Sequence, residues 1–193
     1  MALDAAADDT ALVRASQRGN REAFGMLISR HAPSILRMTK QMLGPAGDAE
    51  DVAQETFIAA YKGLARFQFG AKFSTWLYRI AMNKCHDSLR GRRTDTLSLD
   101  AAGDESDVAW EVANEDTPQV EWERVELAAT LEQSIRALPP LYRESFVLKH
   151  VEGVGYDEMS AILGVHRDTL KMRVYKARTL LCRSLAHLDG VYR

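Results

Sequence analysis

Between Gly153 and Leu181 the chain reads GVGYDEMSAILGVHRDTLKMRVYKARTLL. A short amphipathic segment, a glycine and a longer basic segment follow one another, the layout of a helix-turn-helix. Met159, Ile162 and Leu163 form an apolar stripe in the first helix, and Asp157 and Glu158 sit in its first turn, where the helix dipole favours anions. Gly164 falls where the chain leaves that helix, and a positive φ costs least at glycine. In the second helix Leu170, Val174, Ala177 and Leu181 recur at i, i+4, i+7 and i+11, one face at helical period. The opposite face carries Asp168, Thr169, Met172, Tyr175 and Lys176, flanked by Lys171, Arg173 and Arg178. A helix sealed on one side and basic on the other fits a major groove and can read base edges. The competing reading is an ordinary solvated helix; the coincidence of turn glycine, helix lengths and charge favours DNA.

A net charge of −2 looks wrong for a nucleic-acid binder until it is divided along the chain. Residues 1–93 carry +5, residues 94–126 carry −10 and residues 127–193 carry +3. The acid is confined to one middle segment between two basic parts, and it is the distribution that bears on partners. With 46% hydrophobic and 27% charged residues the composition is that of a globular chain. No apolar run approaches the roughly 20 residues that span a bilayer, and the acidic N-terminus MALDAAADDTALVRASQ is unlike a signal peptide. Cys85 and Cys182 are too few and too far apart for a disulfide framework, which points to the cytoplasm.

Helical periodicity dominates and alternation with period two is nearly absent, so the predicted class is all-α: two small helical domains joined by an acidic flexible linker. The N-terminal domain, 1–93, holds helices over Ala11–Gln17, Arg21–Leu43, Ala49–Leu64 and Phe73–Arg90, with Asp48 and Ser74 as caps and Pro33 as a kink. Residues 94–119 mix Asp, Ser, Gly and Pro and read as a self-repelling tether, although Trp110 and Trp122 suggest local docking. The C-terminal domain, 120–193, begins with a helix to Leu138 stopped by Pro139-Pro140, continues with Leu141–Val151, and closes with the helix-turn-helix.

Projected at 100° per residue, the third helix places Ala53, Phe57, Ala60 and Leu64 on a core side, with Asp51, Gln54, Glu55, Ile58 and Lys62 opposite. Two carboxylates at i, i+4 beside an exposed Ile suit a docking face for a basic partner as well as they suit a solvated face. The fourth helix turns Leu77, Ile80, Ala81 and Ser88 one way and Trp76, Arg79, Asn83, His86 and Arg90 another, with Arg92-Arg93 beyond. Beside a loop bearing Phe67 and Phe69, that second face could stack bases and hold phosphates of single-stranded DNA. Each aromatic, taken singly, also fits a core.

The runs DAEDVAQETFIAAYKGLARF, FSTWLYRIAMNKCHDSLR and LPPLYRESFVLKHVEGVGYDEMSAILGVHRDTLKMRVYKAR, in this order, resemble a bacterial sigma factor of the extracytoplasmic-function (ECF) group of the sigma-70 family. The resemblance covers nearly the whole chain except the acidic linker. It implies a transcription initiation factor that binds core RNA polymerase, through the clamp helices of the largest subunit and through the flap, and directs it to promoters by reading −10 and −35 elements. By position it assigns Asp51, Val52, Ala53, Gln54 and Glu55 to the polymerase, and Ile58, on the same projected face, is counted with them. It assigns Phe67, Lys72, Phe73, Trp76, Arg79 and Asn83 to the −10 element and a flipped non-template base. It assigns Tyr156, Arg167, Asp168, Thr169, Lys171, Met172, Arg173, Tyr175, Lys176 and Arg178 to the −35 element. The acidic linker corresponds to a segment threaded through the polymerase, and an anti-sigma factor is the further partner. The family usually has Gly at position 168 and Ser at position 172. Asp168 can accept from a cytosine amino group and Met172 can touch a thymine methyl, which implies an unusual −35 sequence.

Enzymatic readings find no phosphate-binding glycine loop and no H-E-x-x-H. Cys85-His86 with His31, His150, His166 and His187 lacks any metal-ligand spacing, so no metal or cofactor is expected. The rival functions are a sigma-like decoy that sequesters an anti-sigma factor, and a simple helix-turn-helix repressor. A decoy needs no basic recognition helix, and a repressor leaves the first domain unexplained. The short tail SLAHLDGVYR predicts no appended domain at that end.

Overall fold

Every described element is helical, in a computed structural model that describes residues 7–44, 48–95 and 118–186. In chain order these are α1 (Asp9–Gln17), α2 (Arg21–Leu43), α3 (Asp48–Gly63), a 3-10 turn (Leu64–Arg66), α4 (Phe73–Asp95), α5 (Pro118–Arg136), α6 (Pro140–Phe146), a π-helical turn (Val147–Val151), α7 (Tyr156–Leu163) and α8 (Arg167–Leu185). The predicted linker with Trp110, and the tail beyond Ala186, fall mostly outside the described residues, as do the side chains of Arg92, Arg93 and Trp122.

Local chemistry sets the helix ends. Asp8 accepts the Ala11 N–H at 2.7 Å and Asn20 that of Ala23 at 3.1 Å, so α1 and α2 each start on a side-chain cap. Helix α2 runs through Pro33 as one element, and Pro139-Pro140 separates α5 from α6 with Pro140 at the first helical position. Asp48 and Ser74, expected as caps, lie instead inside the first turns of α3 and α4. The expected single helix Leu141–Val151 is α6 followed by the π turn. Gly164 leaves α7 at φ 66°, a left-handed conformation in which a Cβ is strained.

Around α1–α4 the core is Leu12, Val13, Leu27, Ile35, Met38, Met42, Leu77, Met82 and Cys85, all essentially sealed from solvent. Burial pushes the Cys85 thiol up to about 12. Around α5–α8 it is Leu148, Met159, Ile162, Leu170, Val174, Ala177 and Leu181. Helices α2 and α4 also pack against the C-terminal elements: α4 meets α7, and α2 meets α5, α6 and the π turn. The C-terminal half of α2 is therefore buried around more of its circumference, taking in Thr39, Gln41 and Leu43 besides the predicted stripe.

Arg173 differs from its expected place on the flank of the DNA-facing side. Its guanidinium donates to Glu144 Oε1 at 3.0 Å, with the Arg173 side chain 19% and that of Glu144 6% exposed. The other Glu144 oxygen lies 2.8 Å from His86 Nε2. A buried carboxylate stripped of one partner is strongly destabilising. Arg173→Ala should therefore lower the unfolding free energy by about 3 kcal/mol, the low end for a broken buried pair because His86 remains. Urea denaturation measures it; a loss within about 0.5 kcal/mol, as at an ordinary surface site, would return Arg173 to the solvated flank.

Candidate nucleic-acid interface and acidic docking face

Helix α3 presents Asp51, Gln54, Glu55 and Ile58 to solvent, with Ile58 54% exposed. Val52 and Ala53 do not join them; they are buried with Ala49, Thr56 and Ala60 in the seam of α3. Of the projected core side Ala53, Ala60 and Leu64 are buried and Phe57 is half-buried against the core; Val52 and Thr56 widen the seam, the Thr56 hydroxyl donating to the Val52 carbonyl at 2.7 Å. Between α3 and α4 runs a groove of about 480 Å³ lined by Asp48, Asp51, Glu55, Asp87 and Lys84, with Lys84 Nζ 2.6 Å from Glu55. Four carboxylates around one ammonium leave the groove acidic. Tyr61, half exposed one turn beyond Ile58, extends the apolar part of this surface and packs on Phe24 at 5.0 Å. The sequence projection stopped short of it, although an Ile58/Tyr61 pair at i, i+3 is visible in the row.

The second surface is aromatic. Phe67 lies 5.1 Å from Trp76 and 6.2 Å from Phe73, and Phe73 lies 5.8 Å from Trp76, centroid to centroid. Phe67 and Phe73 are buried and form the floor, so of the −10 set these two are core aromatics that position the others. Trp76 is half-buried, and Arg79, Asn83 and Lys72 are exposed. Gly63 lets the Trp76 ring approach: a Cβ there would stand 3.2 Å from the indole. A recess of about 240 Å³ opens between Arg66, Gln68, Ala71, Trp76 and Arg79, and its rim is completed by Ala161 from α7. At its edge Phe69 adopts φ 53°, a strained conformation for a bulky residue, with the Arg14 guanidinium 5.2 Å above its ring. Gln17 Nε2 donates to the Leu64 and Phe67 carbonyls at 2.9 and 3.0 Å, which fixes the loop's entry to α1.

The third surface is α8. Leu170, Val174, Ala177 and Leu181 are buried, as the period predicts, while Met172 and Tyr175 stand 57% and 66% exposed. Asp168, Thr169, Lys171, Lys176 and Arg178 are exposed on the same or flanking positions; Arg173 alone of the expected set turns inward. Lys171 bonds Asp168 at 2.9 Å and holds its carboxyl below the usual carboxylate range, so Asp168 faces solvent as an acceptor. Arg167 reaches Asp157 of α7 at 3.2 Å. Tyr156, at the start of α7, is half-buried beneath Lys149 at 4.8 Å. Among the described residues no group of three or more His, Cys, Asp or Glu could hold a metal ion, and no helix is long and apolar enough to cross a membrane.

Comparison with known proteins finds two matched stretches. Residues 27–94 match the family model for sigma-70 region 2, and residues 128–181 that for sigma-70 region 4. The RNA polymerase sigma-H factor of Pseudomonas aeruginosa is 35% identical over 185 residues, covering 93% of this chain and 95% of that one. The ECF RNA polymerase sigma factor SigW of Bacillus subtilis is 34% identical over 179 residues, covering 91% and 96%. Among solved structures, CnrH in complex with the cytosolic domain of CnrY superposes with a TM-score of 0.67 at 29% identity, over 97% of this chain and 99% of that one. With its helical architecture, its two matched regions and relatives that align over most of both chains, the chain belongs to the ECF group of the sigma-70 family, non-enzymatic initiation factors that bind core RNA polymerase and direct it to promoters.

Proposed function

We propose that the three surfaces divide the work of initiation. The acidic face of α3, with Asp51, Gln54, Glu55 and Ile58, docks on the clamp helices of the polymerase largest subunit, and Val52 and Ala53 serve that contact only by packing the helix that bears it. The recess beside Trp76 takes a base flipped from the −10 non-template strand; Phe67 and Phe73 form its floor, and Arg79, Asn83 and Lys72 hold the strand around it. The solvent face of α8 enters the major groove of the −35 element, with Met172, Tyr175 and Lys176 toward the bases and Arg167, Lys171 and Arg178 toward phosphates. One observation supports the reading most: an acidic face on α3, an aromatic recess at Trp76 and an exposed, largely basic face on α8 are all presented on one chain.

In this reading the chain divides into a polymerase and −10 unit at 1–93, an acidic tether at 94–119, and a −35 unit at 120–193 that also meets the flap. The −10 charge of residues 94–126 suits a basic channel in the polymerase. The protein acts in the cytoplasm with its polymerase. An anti-sigma factor is a further partner, a reading supported by CnrH having been solved with a cytosolic protein domain bound.

Reversing charge on α3 alters a partner contact and no core packing. Asp51→Arg with Glu55→Arg should weaken binding to core polymerase at least tenfold and leave the circular dichroism spectrum unchanged; a native spectrum with wild-type affinity would remove α3 from the docking face. Within the groove, Met172→Ser or Lys176→Ala should change which promoters are used in run-off transcription with purified core polymerase, at roughly 1–3 kcal/mol per altered base preference. Mapped start sites identical to wild type for both variants would mean that another face of α8 meets the DNA.

A further inference from the structure

Helix α1 reaches the loop that rims the recess at Trp76. The Gln17 amide nitrogen has two hydrogens and gives one to each of two carbonyls, Leu64 at 2.9 Å and Phe67 at 3.0 Å. Three residues earlier, on the same face of α1, Arg14 sets its guanidinium 5.2 Å from the centre of the Phe69 ring. Little else holds the loop. Among the described residues, Gln68, Phe69, Gly70 and Ala71 make no hydrogen bond to protein, and the next tie is the Trp76 N–H donating to the Lys72 carbonyl at 3.1 Å. Phe69 nonetheless holds φ 53°, a conformation that a bulky residue keeps only where its surroundings over-determine it. Those surroundings are Arg14 and the Phe67 ring, centred 5.1 Å from that of Phe69.

Helix α1 can impose this shape because it is itself fixed. Leu12 and Val13 are sealed in the core, and Asp9 meets Arg30 and His31 of α2 at 2.7 and 2.8 Å. The turn and loop held in this way supply Arg66, Phe67, Gln68, Gly70 and Ala71 to the recess. Its other wall, Trp76 and Arg79, rides on α4, which Leu77 and Ala81 anchor in the core. A shift of the Phe67 carbonyl therefore moves one wall of the recess against the other. Neither Arg14 nor Gln17 lines the recess itself.

We propose that Gln17 and Arg14 are positioning residues of the −10 site: from α1 they hold the loop in the shape that completes the recess, and so set how sharply one flipped base is told from the other three. The role rests on the assignment of the recess to that base. A wall already in place discriminates better than one that must order around its ligand, because the loop's conformational freedom was given up on folding and is not taken from binding. Loosened, the loop follows whichever base enters, and the preference flattens.

The test is a selection from single-stranded DNA with a randomised stretch between fixed flanks, made on the full chain bound to core polymerase and read by sequencing the bound strands. Wild type should enrich one base at one position, the position that Trp76→Ala flattens. Gln17→Glu, equal in size but unable to donate when ionised, should flatten that same position about tenfold, the worth of the two lost hydrogen bonds, and leave the other positions as they are. Arg14→Gln should flatten it about threefold. Gln17→Lys, whose ammonium offers three hydrogens, should keep most of the preference, which damage to α1 by any substitution would not allow. Affinity for core polymerase should equal that of wild type in both Gln17 variants; a fall there would make Gln17 a residue of the general fold and overturn the role. Equal losses at every position, or a preference that Trp76→Ala removes and Gln17→Glu leaves intact, overturn the positioning role and leave the recess reading standing. No preferred base in wild type, or a preference that survives Trp76→Ala, overturns the recess reading and the positioning role with it.

Discussion

A carboxylate with 1% of its side chain exposed must be answered by donors, and for Glu152 they are the guanidinium of Arg37 and the hydroxyl of Tyr78. The partners reciprocate: the hydrogen bond to Glu152 raises the Arg37 pKa, and burial pushes the Tyr78 hydroxyl up to about 12, keeping it a proton donor throughout the physiological range. Much of the described arrangement follows from placing these three groups together. Helix α2 gains a second buried face, α7 comes to lie along α4, and the recess at Trp76 acquires a wall from the other unit. Each unit keeps its own apolar core, so the charged contact fixes how they meet without being what folds them.

The helices themselves were legible because each has one dominant buried face. In α8 the predicted Leu170, Val174, Ala177 and Leu181 are the buried set, and Gly164 stands at the one position where the turn requires a left-handed backbone. In α3 the projected Ala53, Ala60 and Leu64 are buried, but the seam is wider than projected. A buried Thr satisfied by its own helix is indistinguishable in sequence from an exposed one, so Thr56 and its acceptor Val52 were not legible as core while Phe57 is only half-buried. The contact between the units left no periodic trace: Arg37, Tyr78, Glu144 and Glu152 are single polar residues, spaced irregularly along the chain, that look like surface positions until the fold pairs them.

For the candidate site the limits are similar. Residue types on exposed faces could be read directly, which is why Asp51, Glu55 and Ile58 on α3 and Met172, Tyr175 and Lys176 on α8 are found where expected. Burial depth could not. Phe67 and Phe73 look like stacking platforms in sequence and lie buried beneath Trp76, and Arg173 looks like a phosphate clamp and lies against the buried Glu144 carboxylate. A position two residues from a groove-facing side chain differs from it by about 200° on a helix, so a flank residue can turn either way according to what lies buried beside it.

The acidic face of α3 carries the proposed contact with the polymerase, and amide hydrogen exchange reads it directly. Exchange is compared for the free chain and for the chain bound to core polymerase. The expected result is slower exchange on binding at 48–58, along α3. Unchanged exchange at 48–58 in the bound chain would contradict it, because the polymerase would then have engaged another surface.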